Sequence, residues 1–191
     1  MDTKVKLTPL GLEGAWLAES PVWSDKRGLF REWFKAEDVL AATGIDFVIQ
    51  QANISQSQGG VIRGIHYSLA PHGQAKWVTC IGGAIRDVIV DIRPSSPTFR
   101  KSVLVDLEAL DGKAVLIGRG LGHGFSSLTP SSTIAYLLSS PYSPSEEFEI
   151  NPLDPELGID WGVVSSEVSL SDKDKAAPSL QDQANLNHLP M

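Results

Sequence analysis

From residue 60 onward the chain breaks into short apolar segments: "VIRGIHY", "KWVTCIGG", "AIRDVIVDIR", "KSVLVDL", "KAVLIG", "HGFSSL" and "TIAYLLSS". Each is closed off by Gly, Pro, Asp or Ser. They recur roughly every ten residues with no helical periodicity between them, the pattern of an antiparallel sandwich or barrel rather than a parallel βαβ sheet. The expected fold is all-β, an antiparallel double-sheet jelly roll with one or two short peripheral helices. One helix reads from "KAEDVLAATG", with Gly44 as its cap, and another from "LSDKDKAAPSLQDQ". Ahead of the first helix, residues 16–23 and "LFREWF" read as strands around the turn "SDKRG". No repeat or linker interrupts the chain, so residues 1–191 read as one domain, with about 183–191, including His188, as a flexible tail.

Several polar residues stand where a strand would bury valines. In "AIRDVIVDIR" parity places Asp87 on one face with Ile85 and Ile89, as for a polar group inside a barrel, although an edge strand of mixed faces reads the same way. Arg63 and His66 are three residues apart, so regular pleating sends them to opposite faces unless a bulge at Gly64 re-aims one. Lys76 follows across a loop that contains Pro71 and Gly73. Taken singly, each reads as a surface group. Three in one hairpin, with "HGF" at 123–125 on a further strand, read as a site. Trp33, Trp77 and Trp161 read as core, Cys80 as a small structural residue and His72 as a solvated loop residue.

Two chemistries fit these side chains. A metal site would take His66, His123 and a carboxylate, although "GIHYS" lacks a second histidine two residues from the first. Acid–base chemistry would take a neutral His as base, a carboxylate to hold its tautomer, and Lys or Arg to hold an oxyanion. The carboxylate candidates are Asp87, Asp172 and Asp174. A formal charge of −7 and a pI near 5.0 argue against a nucleic-acid partner, so an anionic ligand would need locally placed Arg and Lys. A single cysteine leaves no intrachain disulfide. The first twenty residues carry Asp2, Glu13 and Glu19 without a long apolar run, and no segment reaches the ~20 apolar residues of a membrane span. A cytoplasmic protein is the expectation.

"SDKRGLFREWF", "GVIRGIHY", "GQAKW", "DVIVDIRPSSPTF", "GLGHGF", "YLLSSPYSP", "NPLDPELGIDW" and "LSDKDKAAP" occur in this order. Together they resemble the dTDP-4-dehydrorhamnose 3,5-epimerase family of nucleotide-sugar epimerases, over about residues 8–182. The resemblance implies a cupin-type jelly roll, a homodimer, no metal or other cofactor, and a dTDP-4-keto-6-deoxyhexose substrate. By motif, His66 matches the catalytic base, Asp174 its partner, Lys76 the enolate-stabilising group, and Tyr136 the acid on the opposite face of the ring. Arg27, Glu32 and Arg63 match nucleotide- and sugar-contacting positions, His123 a second active-site histidine and Tyr142 another site tyrosine; Gln51 and Asp87 are further substrate-binding candidates. A C4 ketone acidifies the hydrogens at C3 and C5, so proton removal and return suffice for inversion. Leu29, "QQANIS" at 50–55 and Leu137 depart from the commoner pattern. "GIHY" and "YLLSS" resemble the branch that makes unusual deoxysugars, some members of which invert one carbon only. A metal-dependent cupin enzyme, and a binding module without catalysis, are the competing readings.

Overall fold

The computed structural model describes residues 4–69 and 73–190; His72 lies outside the described residues. In chain order the strands are β1 (Lys6–Pro9), β2 (Ala15–Glu19), β3 (Val22–Asp25), β4 (Gly28–Arg31), β5 (Gln51–Gln58), β6 (Ile62–Ser68) and β7 (Lys76–Gly82). They continue with β8 (Ala84–Asp91), β9 (Ser102–Glu108), β10 (Lys113–Ile117), β11 (Leu121–Ser127), β12 (Ser131–Leu138) and β13 (Glu147–Glu149). The α-helices are α1 (Ala36–Thr43), α2 (Asp172–Ala176) and α3 (Leu180–Asn185), one more than the sequence reading allowed among the described residues.

The strands form two antiparallel sheets, ordered β1-β2-β10-β7-β12-β5 and β13-β6-β11-β8-β9, with β3–β4 standing apart as a two-stranded hairpin. Period-two alternation sends one set of side chains between the sheets and the other outward. Val78, Cys80, Val115, Ile117 and Ile134 of the first sheet thus meet Ile85, Ile89, Leu107 and Phe125 of the second. Both outer faces are covered as well, which explains the near-continuous apolar runs of β7 and β8. On the first sheet Trp77, Leu116 and Leu137 pack under Val39 of α1 and Phe47. On the second Ile62, Ile65, Val88 and Val90 pack under Ile150, Leu157, Trp161, Leu180 and Leu189.

The indole N–H groups of Trp77 and Trp161 each donate to a backbone carbonyl, of Trp33 and Pro152 respectively, at 2.9 Å, so both rings are satisfied core residues. α1 ends as expected, with Gly44 left-handed at φ 73° and its N–H on the Leu40 carbonyl. In the C-terminal segment α3 is closed by a Ser179–Asp182 capping box, Leu189 is buried, and the Tyr67 hydroxyl donates to the His188 carbonyl at 3.0 Å. Enough apolar side chains punctuate that polar stretch to cover the second sheet.

Candidate active site

The space between the sheets is polar at one end and apolar at the other. Along β7 the inward positions run Lys76, Val78, Cys80, so the lysine marks the polar end, and His66 on β6, His123 on β11 and Tyr136 on β12 converge there. They line a cavity of about 330 Å³, together with Gln51, Arg63 and Tyr142.

Gly64 makes the convergence possible. Arg63 is level with Phe125 and His66 with His123, so β6 spends three residues where β11 spends two. This is the bulge anticipated from the sequence, and it brings both Arg63 and His66 to the cavity. Gly64 sits at φ 131°, and the Gly64–Ile65 peptide is cis. A Cβ at Gly64 would lie 2.5 Å from the Gly124 Cα and 2.9 Å from the His123 carbonyl oxygen, so no other residue fits.

His66 Nε2 lies 2.7 Å from Asp174 Oδ1. The carboxylate arrives on α2, where Ser171 is the N-cap: its hydroxyl accepts the Asp174 N–H at 3.0 Å and donates to Asp174 Oδ2 at 2.9 Å. One serine therefore caps the helix and orients the acid. Burial pushes the Asp174 carboxyl up, but the His66 contact, the Ser171 hydrogen bond and the Lys173 charge outweigh it and hold the group below its ordinary value. α2 itself is pinned by the bridge between Val61 and Ser169, with the Ile62 N–H donating to the Ser169 carbonyl at 3.0 Å.

Lys76 is 7% exposed, and its Nζ donates to the His66 carbonyl at 3.3 Å. Burial lowers its pKa to about 8, opposed by the charges of Glu147 and Asp87. Arg63 is tethered through Nε to Ser57 Oγ at 3.0 Å and through Nη2 to the Gln56 carbonyl at 3.2 Å. Its Nη1 makes neither of these contacts. Tyr136 and Lys76 belong to the first sheet and His66 to the second, so they face each other across the cavity.

Three expected contacts fall elsewhere. Asp87 does not line the cavity: it is 0% exposed and stands behind His123, whose Nε2 lies 2.8 Å from its Oδ2. Arg27, at the tip of the β3–β4 hairpin, pairs with Asp25, and Glu32 is exposed just beyond that hairpin; neither reaches this chain's cavity. Asp172, the third carboxylate candidate, is solvent-facing. The metal reading required His66 and His123 to share a carboxylate, whereas each has its own. No group of three His, Cys, Asp or Glu able to hold an ion occurs among the described residues.

The structure also adds wall residues that the sequence reading passed over: Asn53, Gln74, Glu147, Ser171 and Lys173. Asn53 could have been found by parity, two residues from Gln51 on the same face of β5, and Ser171 by the Ser-x-x-Asp spacing to Asp174. Lys173, held by Glu149 at 2.9 Å, carries no comparable signal.

Fold and site together define a class of protein: a cupin-type jelly roll whose cavity presents two histidines, each backed by an aspartate, with a buried lysine and an arginine. Comparison with known proteins is specific. Residues 9–182 match the family model described as dTDP-4-dehydrorhamnose 3,5-epimerase. A dTDP-4-dehydro-6-deoxyglucose 3-epimerase from a Streptomyces species is 47% identical over 182 residues, covering 95% of this chain and 92% of that protein. The dTDP-4-dehydrorhamnose 3,5-epimerase of Mycobacterium tuberculosis is 41% identical over 187 residues, covering 97% and 93%. The crystal structure of NovW, a 4-keto-6-deoxy sugar epimerase from the novobiocin gene cluster of Streptomyces spheroides, superposes with a TM-score of 0.95. It is 39% identical, with 100% of this chain and 95% of that one covered. The chain belongs to the dTDP-4-dehydrorhamnose 3,5-epimerase family, and it is an isomerase.

Proposed function

We propose that this protein epimerises a dTDP-4-keto-6-deoxyhexose at C3, C5 or both, in deoxysugar biosynthesis. The observation that carries this reading is the His66–Asp174 pair at 2.7 Å on one wall of the cavity, with Tyr136 and Lys76 on the other. His66 removes the proton α to the C4 ketone, Asp174 holding the imidazole in place. Lys76 stabilises the enolate oxygen, a contribution of ~3–4 kcal/mol for one well-placed oxyanion donor. Tyr136 returns a proton to the opposite face, which inverts the carbon. Each catalytic step moves a proton between side chains of this chain and the sugar.

Arg63 and Lys173 supply the cations for the diphosphate, and Tyr142, at the rim with its N–H on Gln51 Oε1 at 2.9 Å, supplies a ring for the nucleoside. The working form is a homodimer in the cytoplasm. The β3–β4 hairpin presents Phe30, 64% exposed, and Leu29 to solvent, while Arg27 and Glu32 lie away from their own cavity. Those two residues keep a substrate-contacting role if the hairpin reaches the cavity of a second copy. No helix among the described residues is long and apolar enough to cross a membrane.

Incubating dTDP-4-keto-6-deoxyglucose with the protein in heavy water and following deuterium by NMR tests the reading. Deuterium at C3 and C5 establishes a double epimerase. Uptake at C3 alone or at C5 alone establishes a single-site epimerase. No uptake at either carbon refutes the proposal.

A further inference from the structure

His66 and His123 lie directly opposite each other on β6 and β11. Each directs Nε2 at a carboxylate, Asp174 at 2.7 Å and Asp87 at 2.8 Å. The second pair is set deeper. Asp87 is level with Phe125 on β11 and His123 with Ile89 on β8, so the two side chains meet diagonally across adjacent strands, on the face that turns inward.

Apart from the charge of Lys76, which it helps to hold, nothing in the packing explains a carboxylate there. Asp87 is 0% exposed, and its Oδ1 has no hydrogen-bond partner. Burying a carboxylate with one oxygen bare costs stability, and an apolar residue among Ile85, Ile89 and Phe125 would avoid that cost. Its one hydrogen bond is to a histidine that lines the cavity. A carboxylate only accepts, so His123 Nε2 carries the hydrogen, and the ring nitrogen left over is Nδ1.

We propose that Asp87 is a positioning residue: by taking the Nε2–H of His123 it fixes the ring and leaves Nδ1 as an acceptor in the cavity, for a hydroxyl of the substrate's sugar ring. The assignment rests on the epimerase reading for the identity of that hydroxyl. The tautomer itself does not depend on that reading.

The experiment pairs 15N-histidine NMR of ligand-free protein with turnover. The wild type shows His123 as the Nε2–H tautomer. In Asp87→Asn that preference is lost, because the amide can donate as well as accept, and turnover falls about 10- to 100-fold, as when a group orienting a functional histidine is removed. Wild-type turnover in Asp87→Asn, or a loss of turnover with the tautomer unchanged, overturns the proposal. So does an Nδ1–H tautomer in the wild type. Should Asp87→Asn fail to fold, His123→Gln replaces it. Its amide nitrogen still reaches Asp87, but nothing replaces Nδ1, so the fold persists and turnover drops by the same factor; full turnover overturns the proposal. Absence of deuterium uptake by the wild type overturns the epimerase reading, a result separate from the tautomer measured without substrate.

Discussion

Replacing Lys76 by methionine should make the protein more stable and nearly inactive. The ammonium sits in a site that is 7% exposed, and burial lowers its pKa from an ordinary 10.5 to about 8. At ~1.36 kcal/mol per pH unit, keeping the charge in the folded state at neutral pH costs about 3 kcal/mol. Methionine has a similar length and no charge, and it gives up only the 3.3 Å hydrogen bond to the His66 carbonyl. A gain of about 2–3 kcal/mol is therefore expected in urea unfolding at pH 7. The pH dependence identifies the cause. Below about pH 8 the lysine is charged in both folded and unfolded chains, so the full penalty applies. Between about 8 and 10.5 the folded chain has lost the proton while the unfolded chain keeps it; wild-type stability rises through that window, and the gap to the variant closes. Turnover of Lys76→Met should fall ~10²–10³-fold, the cost of losing one oxyanion donor. A variant no more stable than the wild type at pH 7, or a gap unchanged up to pH 10.5, would refute the reasoning.

Asp174→Asn removes the charge that holds His66, and turnover followed by NMR should drop at least ~10²-fold while the fold is kept; unchanged turnover removes Asp174 from the mechanism. Gly64→Ala forces a methyl group to 2.5 Å from the Gly124 Cα and should destabilise by about 2–3 kcal/mol, a fall of roughly 4–10 °C in Tm by calorimetry. Asp91, wholly buried, accepts from Arg93, Ser96 and Thr98. Burial pushes its carboxyl up, but those bonds hold it well below the usual carboxylate range. Its contribution is present at neutral pH and is lost as pH falls below about 4. Asp91→Asn should cost about 3–5 kcal/mol at pH 7 and flatten the acid limb of a urea-unfolding series.

Strand alternation is a local property, and what depended on it could be read from the residues alone. The segments that became β6 to β12 and the shared face of Asp87, Ile85 and Ile89 follow from period two, and glycine chemistry marked Gly64 as a place for a bulge; the inward turn of that face came from the packing of the sheets. β5 escaped the same reading because its inward residues, Gln51, Asn53 and Ser55, line a cavity and carry no apolar stripe. The departure at Leu137 is settled by parity too: it points away from the cavity into the outer core. Which carboxylate serves which histidine was beyond any local rule. The residues left Asp87, Asp172 and Asp174 open, and the family motifs, not spacing, singled out Asp174. His66 and Asp174 are 108 residues apart and meet because α2 is laid over the end of the second sheet, whereas Asp87 is brought to His123 by the register of β8 on β11. Strand periodicity and turn residues were enough for an antiparallel jelly roll with polar groups set among its apolar segments. The closure of its sheets and the docking of the C-terminal segment decided which of those groups form pairs, since pairing depends on strand neighbours and register and these are set by packing across the whole barrel.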